Sequence, residues 1–303
     1  MLKNIIKSKS AASAPGEDGI MYGVLAKMPS THYFLATLYN KLDESAIAPD
    51  IWANSIVTLA FKGGETDDET CFRMIALTSC LAKPYHIIKA ERLSSFMVAN
   101  GYLDASVQKG FMASINGCVE HTTLLQEIIQ HAKHNKKTLH FSSYDLQDAF
   151  GSISHDLIPF VLKHYNVPDP VIRYIEDLYS KLSGKVVTKE WSSIPFRFRK
   201  GVFQGDPYSP IIFLICFNPL LQYLKTFEDK FGYELSVKDE NGQILKSERI
   251  ITTPFADDFN LLTGHKTRHQ TLQDDLQAKT ISMGLVFKPK KWRSLSICLG
   301  KPS

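Results

Sequence analysis

The sequence predicts an α+β fold, and two observations carry that reading. Helical and strand-like periodicities alternate irregularly along the chain. Three of the strand-like segments also run straight into a carboxylate or a glycine turn, the arrangement of an active site whose reacting groups sit on rigid elements. The 303 residues, 44% hydrophobic and 22% charged, suffice for one large core or two smaller ones. Apolar residues recur at helical intervals over 81–98 (LAKPYHIIKAERLSSFMV), 122–132 and 171–182, so helices are expected there. Strands are expected at 138–144, 185–188, 193–198 and 250–255, each short, β-branched or aromatic, and bounded by polar or turn residues.

Bulk properties exclude some classes. A net charge of +4 suits an anionic partner without demanding one. The five cysteines are scattered with no CxxC pair, which argues for a reducing compartment and against a disulfide framework. The most apolar run, 211–217, breaks at Asn218-Pro219, short of the roughly 20 residues that cross a bilayer. The first residues lack the apolar centre of a secretory signal. The expectation is an intracellular protein, neither secreted nor membrane-spanning.

Chemistry concentrates in three places. In TLHFSSYDLQDAF an alternating strand ends at Asp145, and Phe150 follows after a turn. In RIITTPFADDFNLL two apolar strands flank Ala256-Asp257-Asp258 and place both carboxylates at a hairpin tip. Carboxylates held together in a partly dry site repel, so they call for a cation, and hard oxygen ligands select Mg²⁺ or a similar ion. A pair of such ions can clamp the attacking and leaving oxygens of an in-line phosphoryl transfer. Taken alone, either carboxylate reads more readily as solvated turn chemistry than as a metal ligand. The third place is FRFRKGVFQGDPYSP: Ser209-Pro210 reads as a helix N-cap with proline at the first helical position, and Gly201, Gly205 and Pro207 shape the turn before it. On 193–200, Ile194, Phe196 and Phe198 alternate with Arg197 and Arg199, which would put aromatics on one strand face and positive charge on the other, as in a nucleic-acid groove or an ordinary amphipathic edge strand.

The order DLQDAF, GVFQGDPYSP, FADD and GLVFKPKKW resembles motifs A, B, C and D of the reverse transcriptases of non-LTR (LINE-type) retrotransposons. Upstream, APGEDGI, IAPDIWANSIVTLAFK, FRMIAL and QKGFMASINGCVEHTTLL resemble that family's fingers motifs in the same order, so the likeness covers residue 14 to about 300. It implies a right-hand polymerase fingers and palm, with a ferredoxin-like antiparallel palm sheet. Fingers would occupy 1–105 and 157–200, and palm 106–156 and 201–303, around a basic cleft. It implies that Asp145, Asp257 and Asp258 ligate two Mg²⁺ ions and that Phe150 is a steric gate against the ribose 2′-OH. Gln204 and Gly205 would lie beside the templating pair, Lys62 and Arg73 would hold the incoming triphosphate, and Lys291 would protonate the departing pyrophosphate. The partners implied are an RNA template, a DNA primer or nicked target DNA and dNTPs, in the nucleus and cytoplasm; the oligomeric state is not implied.

Departures from the family pattern are Met74 in place of proline after Arg73, Gly151 where a second Asp is frequent, Phe255 for Tyr, and Trp292 for a small residue after Lys291. The first would remove the turn that orients Arg73, and the last would shift Lys291. After Gly300 only three residues remain where the family continues into a primer grip and thumb, and no endonuclease segment or zinc-knuckle pair is present. The thumb is therefore expected to be absent, and the rival reading is a catalytically weak or inactive nucleic-acid-binding remnant. An RNA-dependent RNA polymerase would share the palm chemistry but usually carries Gly before the paired Asp. A zinc site from Cys118, His121, His131 and His134 is a weaker alternative. His265 and His269 are expected to be solvated at a helix start.

Overall fold

The computed structural model describes residues 1–111 and 117–302, so residues 112–116 of the QKGFMASINGCVEHTTLL motif lie outside it. In chain order the strands are β1 (Asn54–Phe61), β2 (Phe72–Leu77), β3 (Leu139–Tyr144), β4 (Ser183–Val186) and β5 (Phe196–Arg197). They continue with β6 (Tyr233–Lys238), β7 (Ile244–Ile250), β8 (Phe259–Thr263), β9 (Arg293–Cys298) and β10 (Lys301–Pro302). The chain divides into two compact units, residues 1–97 with 153–213 and residues 98–152 with 214–303. The expected helices are present as Ala82–Ala99, Gly117–His134 and Asp169–Lys181.

The first unit is built on a sheet of order β2-β1-β4-β5, in which β1 and β4 run parallel. Its core is aromatic and partly ionic. Tyr85 lies 5.2 Å from Tyr39 and from Tyr174, and Trp52 lies 6.0 Å from His86. His86 Nδ1 bonds the Asp206 carboxylate at 2.8 Å and its Nε2 meets the Tyr174 hydroxyl at 3.0 Å, with the side chains only 1% and 8% exposed. Burial alone would push the Asp206 carboxyl up, but the His86 charge and hydrogen bond, helped by the Tyr208 amide, hold it below its ordinary range.

Two expectations fail in this unit. Only Phe196–Arg197 of 193–198 pairs as a strand, and Ile194 is 84% exposed, so no continuous aromatic face forms. The long helix starts at Ser209, so Ser209 is its first residue and not its cap and Pro210 is its second; before it the Asp206 carboxylate accepts the Tyr208 amide. Asp206 reaches that amide as an Asx turn would, which the Gly205-Asp206-Pro207 sequence favours.

The second unit holds the expected antiparallel sheet, of order β10-β9-β3-β8, with β3 between β8 and β9. Ile128 and Ala132 of the Gly117–His134 helix pack with Leu139, Leu262, Ile297 and Tyr233 in a core closed to solvent. The strand expected at 250–255 is not continuous: β7 ends at Ile250 and pairs with β6 in a separate hairpin. Beyond it only Thr252↔Leu261 and Phe255↔Asp258 bridge toward β8.

His269, expected in solvent, is buried; its Nε2 meets Ser142 Oγ at 2.8 Å and its Nδ1 meets Thr263 Oγ1 at 3.1 Å. The helix Lys266–Ser282 turns residue 269 inward while His265 stays exposed at its start. Burial, with a smaller push from His140, lowers the His269 pKa to about 4. The unfolded chain thus binds a proton between about pH 6.5 and 4 that the folded one refuses, so stability falls as pH drops through that window. The expected contribution is a loss of about 3 kcal/mol, read as the difference in urea midpoints between the native chain and His269→Gln at pH 7 and pH 4. Equal pH dependence in both would remove the assignment.

Candidate active site

The order of the sheet places β3 and β8 side by side and antiparallel, so the end of one meets the start of the other. Tyr144 pairs with Phe259, and the next residue out on each side is Asp145 and Asp258. An aromatic bed fixes these ends: the Tyr144 ring stacks 5.0 Å from Phe259 and lies 5.0 Å from both Phe287 and Trp292. Trp292, the residue expected to disturb its neighbour, is part of this bed. Lys291, on the short turn Pro289–Lys291, still forms an ion pair with Asp145 Oδ2.

Asp257 and Asp258 sit on a hairpin closed by Phe255 N–H to Asp258 O at 2.7 Å and Asp258 N–H to Phe255 O at 3.1 Å. Partial desolvation, then the charges of Asp257 and Asp145, hold the Asp258 carboxyl above its ordinary range, against the pull of Lys291. Because Asp258 is open to solvent, the two neighbouring charges are the part of that push a cation would relieve. The Lys291 ammonium is raised by its hydrogen bond to Asp145 and by the charges of Asp145, Asp258 and Asp257. Four groups from three chain segments thus feel one another electrostatically, with Asp145 only 18% exposed at its side chain.

That donor set fits a hard divalent cation in chemistry, since all three acids offer only oxygen. It is not a closed cage: among the described residues no three His, Cys, Asp or Glu side chains converge as a ready ligand group. The ammonium on Asp145 partly fills the role a cation would take. The zinc alternative does not assemble. His121 Nε2 faces the Val107 and Pro254 carbonyls, and His131 bonds Tyr233 and Ser236.

Phe150 follows Asp145 on the short helix Ala149–Ser152, its ring 5.8 Å from Phe111 and perpendicular to it. A side chain at Gly151 would meet the Asp148 carboxylate at 2.1 Å, so an acid there would have to displace that side chain and would bring two carboxylates together.

The remaining residues belong to the first unit. Lys62 and Arg73 are both exposed, on and beside β1–β2; Lys62 Nζ reaches Thr70 O at 3.3 Å. Arg73-Met74 lie mid-strand opposite Ala60 and Leu59, so the turn is absent, as the loss of the family's proline implies. Without proline's fixed φ, Arg73-Met74 keep the extended backbone that pairs with β1. Gln204 O accepts from Ala76 N–H at 2.8 Å, and Gly205 (φ +116) lies where a Cβ would be 2.5 Å from Ala76 O, so only glycine fits there.

The sequence gives Gln108 no role and offers His121 only as a zinc ligand, whereas both contact the Asp257 hairpin; it gives no sign of the His86–Asp206 pair beneath Gly205. Gln108 carried a faint signal, a polar residue inside a recognised motif; nothing local linked it to residue 256.

A family model for Reverse transcriptase (RNA-dependent DNA polymerase) matches residues 62–298. The chain is 26% identical over 285 residues to the Retrovirus-related Pol polyprotein from type-1 retrotransposable element R2 of Nasonia vitripennis, covering 94% of this chain and 26% of that protein. It is 27% identical over 215 residues to the polyprotein from type-2 retrotransposable element R2DM of Drosophila melanogaster, covering 71% and 20%. The corresponding R2 polyprotein of Popillia japonica is 27% identical over 288 residues, covering 94% and 37%. The chain thus spans 20–37% of the length of these relatives. Among solved structures, apo telomerase from Candida tropicalis, truncated of its C-terminal domain, superposes with a TM-score of 0.55 at 13% identity over 97% of this chain and 60% of that one. Telomerase from the same organism with the TWJ fragment of telomeric RNA gives 0.56 at 14% identity, over 97% and 48%. At such identities the likeness speaks to fold alone.

Proposed function

Since the chain belongs to the reverse transcriptase (RNA-dependent DNA polymerase) family, we propose that it is the polymerase core of a non-LTR retrotransposon, extending a primer 3′-OH with dNTPs on an RNA template. Its α+β architecture is that of polymerase fingers and palm; we assign the fingers to 1–105 with 157–200 and the palm to 106–156 with 201–303, bounds from which the two compact units differ at 98–105, 153–156 and 201–213. The observation that carries the proposal is the electrostatic convergence of Asp145, Asp257, Asp258 and Lys291 where β3 ends and β8 begins.

The family generally uses divalent metal ions; here two Mg²⁺ are proposed, which when bound would activate the primer hydroxyl and neutralise the leaving pyrophosphate. Asp145 and Asp257 bind them, and Asp258 completes the carboxylate cluster. Lys291 Nζ, held on Asp145, is the proton donor to the departing pyrophosphate. Lys62 and Arg73 hold the triphosphate by charge-assisted hydrogen bonds, and Gln204 with Gly205 lines the templating pair. Their exposure supports this reading for the two cations. The nucleic-acid partners are an RNA template and a DNA primer or nicked target. Among the described residues no helix is long and apolar enough to cross a membrane.

The test is primer extension on an RNA template with Mg²⁺, comparing dNTPs with rNTPs. Extension with dNTPs is expected, and its absence with well-folded protein would overturn the proposal. Phe150 is the proposed gate: its ring, braced by Phe111, would occupy the space of a ribose 2′-OH. Phe150→Val should raise rNTP use relative to dNTP by roughly 10–100-fold, the range a single pocket contact sets. An unchanged ratio would remove the gate from Phe150.

A further inference from the structure

Strand pairing alone does not hold the hairpin that carries Asp257 and Asp258. Ala256, buried at its tip, has φ +56, in the left-handed region that disfavours any residue with a Cβ. The Ala256 N–H donates to Gln108 Oε1 at 2.9 Å, and the Ala256 carbonyl accepts from Gln108 Nε2 at 3.3 Å. One side-chain amide therefore binds both polar groups of the same residue. The same Oε1 accepts the Gly110 N–H at 2.8 Å, and Gln108 is 2% exposed.

Close approach is built into the neighbour. A Cβ at Gly110 would lie 2.2 Å from Ala256 N and 2.7 Å from its Cα, so only glycine lets the two backbones meet. One turn earlier, the Pro254 carbonyl accepts from His121 Nε2 at 2.9 Å and from the Lys109 N–H at 3.3 Å. A residue needed only to fill space at 2% exposure would be apolar, because a buried amide stabilises nothing unless its groups are bonded. Gln108 spends all three of these bonds on orientation, two of them on a residue 148 positions away.

We propose that Gln108 is a positioning residue: it holds Ala256 in the left-handed conformation that sets the direction of the Asp257 and Asp258 carboxylates relative to Asp145. The inference rests on reading this hairpin as the metal-binding site. Ligand-orienting neighbours of a metal site typically tune its affinity or activity by roughly 10–100-fold.

The test uses Gln108→Met in the full chain, which keeps length and volume and removes the hydrogen bonds. Hydrogen exchange should find the Ala256 and Gly110 amides protected in the native chain and exchanging freely in the variant. A Titration with Mn²⁺ followed by electron paramagnetic resonance should show affinity falling roughly 10–100-fold. In primer extension kcat should fall by a similar factor, while KM for dNTP stays within about twofold, as when an interaction made in the transition state is removed. If Gln108→Met does not fold, Gly110→Ala, which pushes Ala256 away sterically, should give the same pattern. Native Ala256 amide exchanging at free-loop rates would overturn the inference, as would Mn²⁺ affinity unchanged in a folded variant. Failure of the native chain itself to bind Mn²⁺ would instead overturn the metal reading on which the inference stands.

Discussion

Asp257→Asn is expected to lower primer extension by at least about a thousandfold, close to 4 kcal/mol of transition-state stabilisation. The amide matches the carboxylate in size but carries no charge, so a divalent cation at the hairpin tip loses one of its anionic ligands. The same change should act oppositely on the metal-free fold. Asp257 is one of the charges that hold the Asp258 carboxyl above its ordinary range. Its removal relieves that repulsion, so the metal-free melting temperature should stay level or rise slightly. Steady-state extension and a melt without metal check the two halves together. Undiminished extension would sink the catalytic assignment, and a lower melting temperature would show that Asp257 serves the fold instead.

His86→Ala carries the largest expected effect on stability, a loss of about 3–5 kcal/mol. The alanine leaves the Asp206 carboxylate without its partner at a site only 8% exposed. Replacing both members by apolar residues should restore much of that loss, because two desolvation penalties disappear with the pair. Restoration should be incomplete, since Asp206 Oδ1 also accepts the Tyr208 amide at the start of the long helix. Urea unfolding of the single and double variants measures both quantities, and a single-variant loss below about 1 kcal/mol would refute the buried-pair account. The effect should extend to function, because Asp206 follows the Gln204-Gly205 turn that packs against Ala76.

Much of the fold and of the site is legible in the sequence. The strand ending at Asp145 and the paired acids on a tight turn follow from alternation and turn chemistry, both local properties. The helices at 81–98, 122–132 and 171–182 followed from spacing and appear within a few residues of those bounds. What was hidden is non-local. Arg73-Met74 looks like a spoiled turn until β1 is seen beside it, and His269 looks solvated until the helix that carries it docks on Ser142 and Thr263. The segment 250–255 has the composition of a strand, yet the separate pairing of β7 with β6 leaves the rest of it only isolated bridges. Trp292 seemed a threat to Lys291, but its ring is taken up by Tyr144, a residue it meets only through the β3–β9 pairing.

The interleaving of the two units has a consequence for how the protein is made. β1 lies beside β4, where Ser55 Oγ donates to a carbonyl 128 residues downstream, and β3 lies beside β9, where His140 meets a serine 156 residues away. Neither sheet can close on a growing chain until its late strand has left the ribosome. Contacts so distant in sequence delay folding through the loop entropy that must be lost first. Until β9 arrives, the β3 edge that bears Asp145 is an open template for other chains, and a premature stop before Arg293 would leave it so permanently.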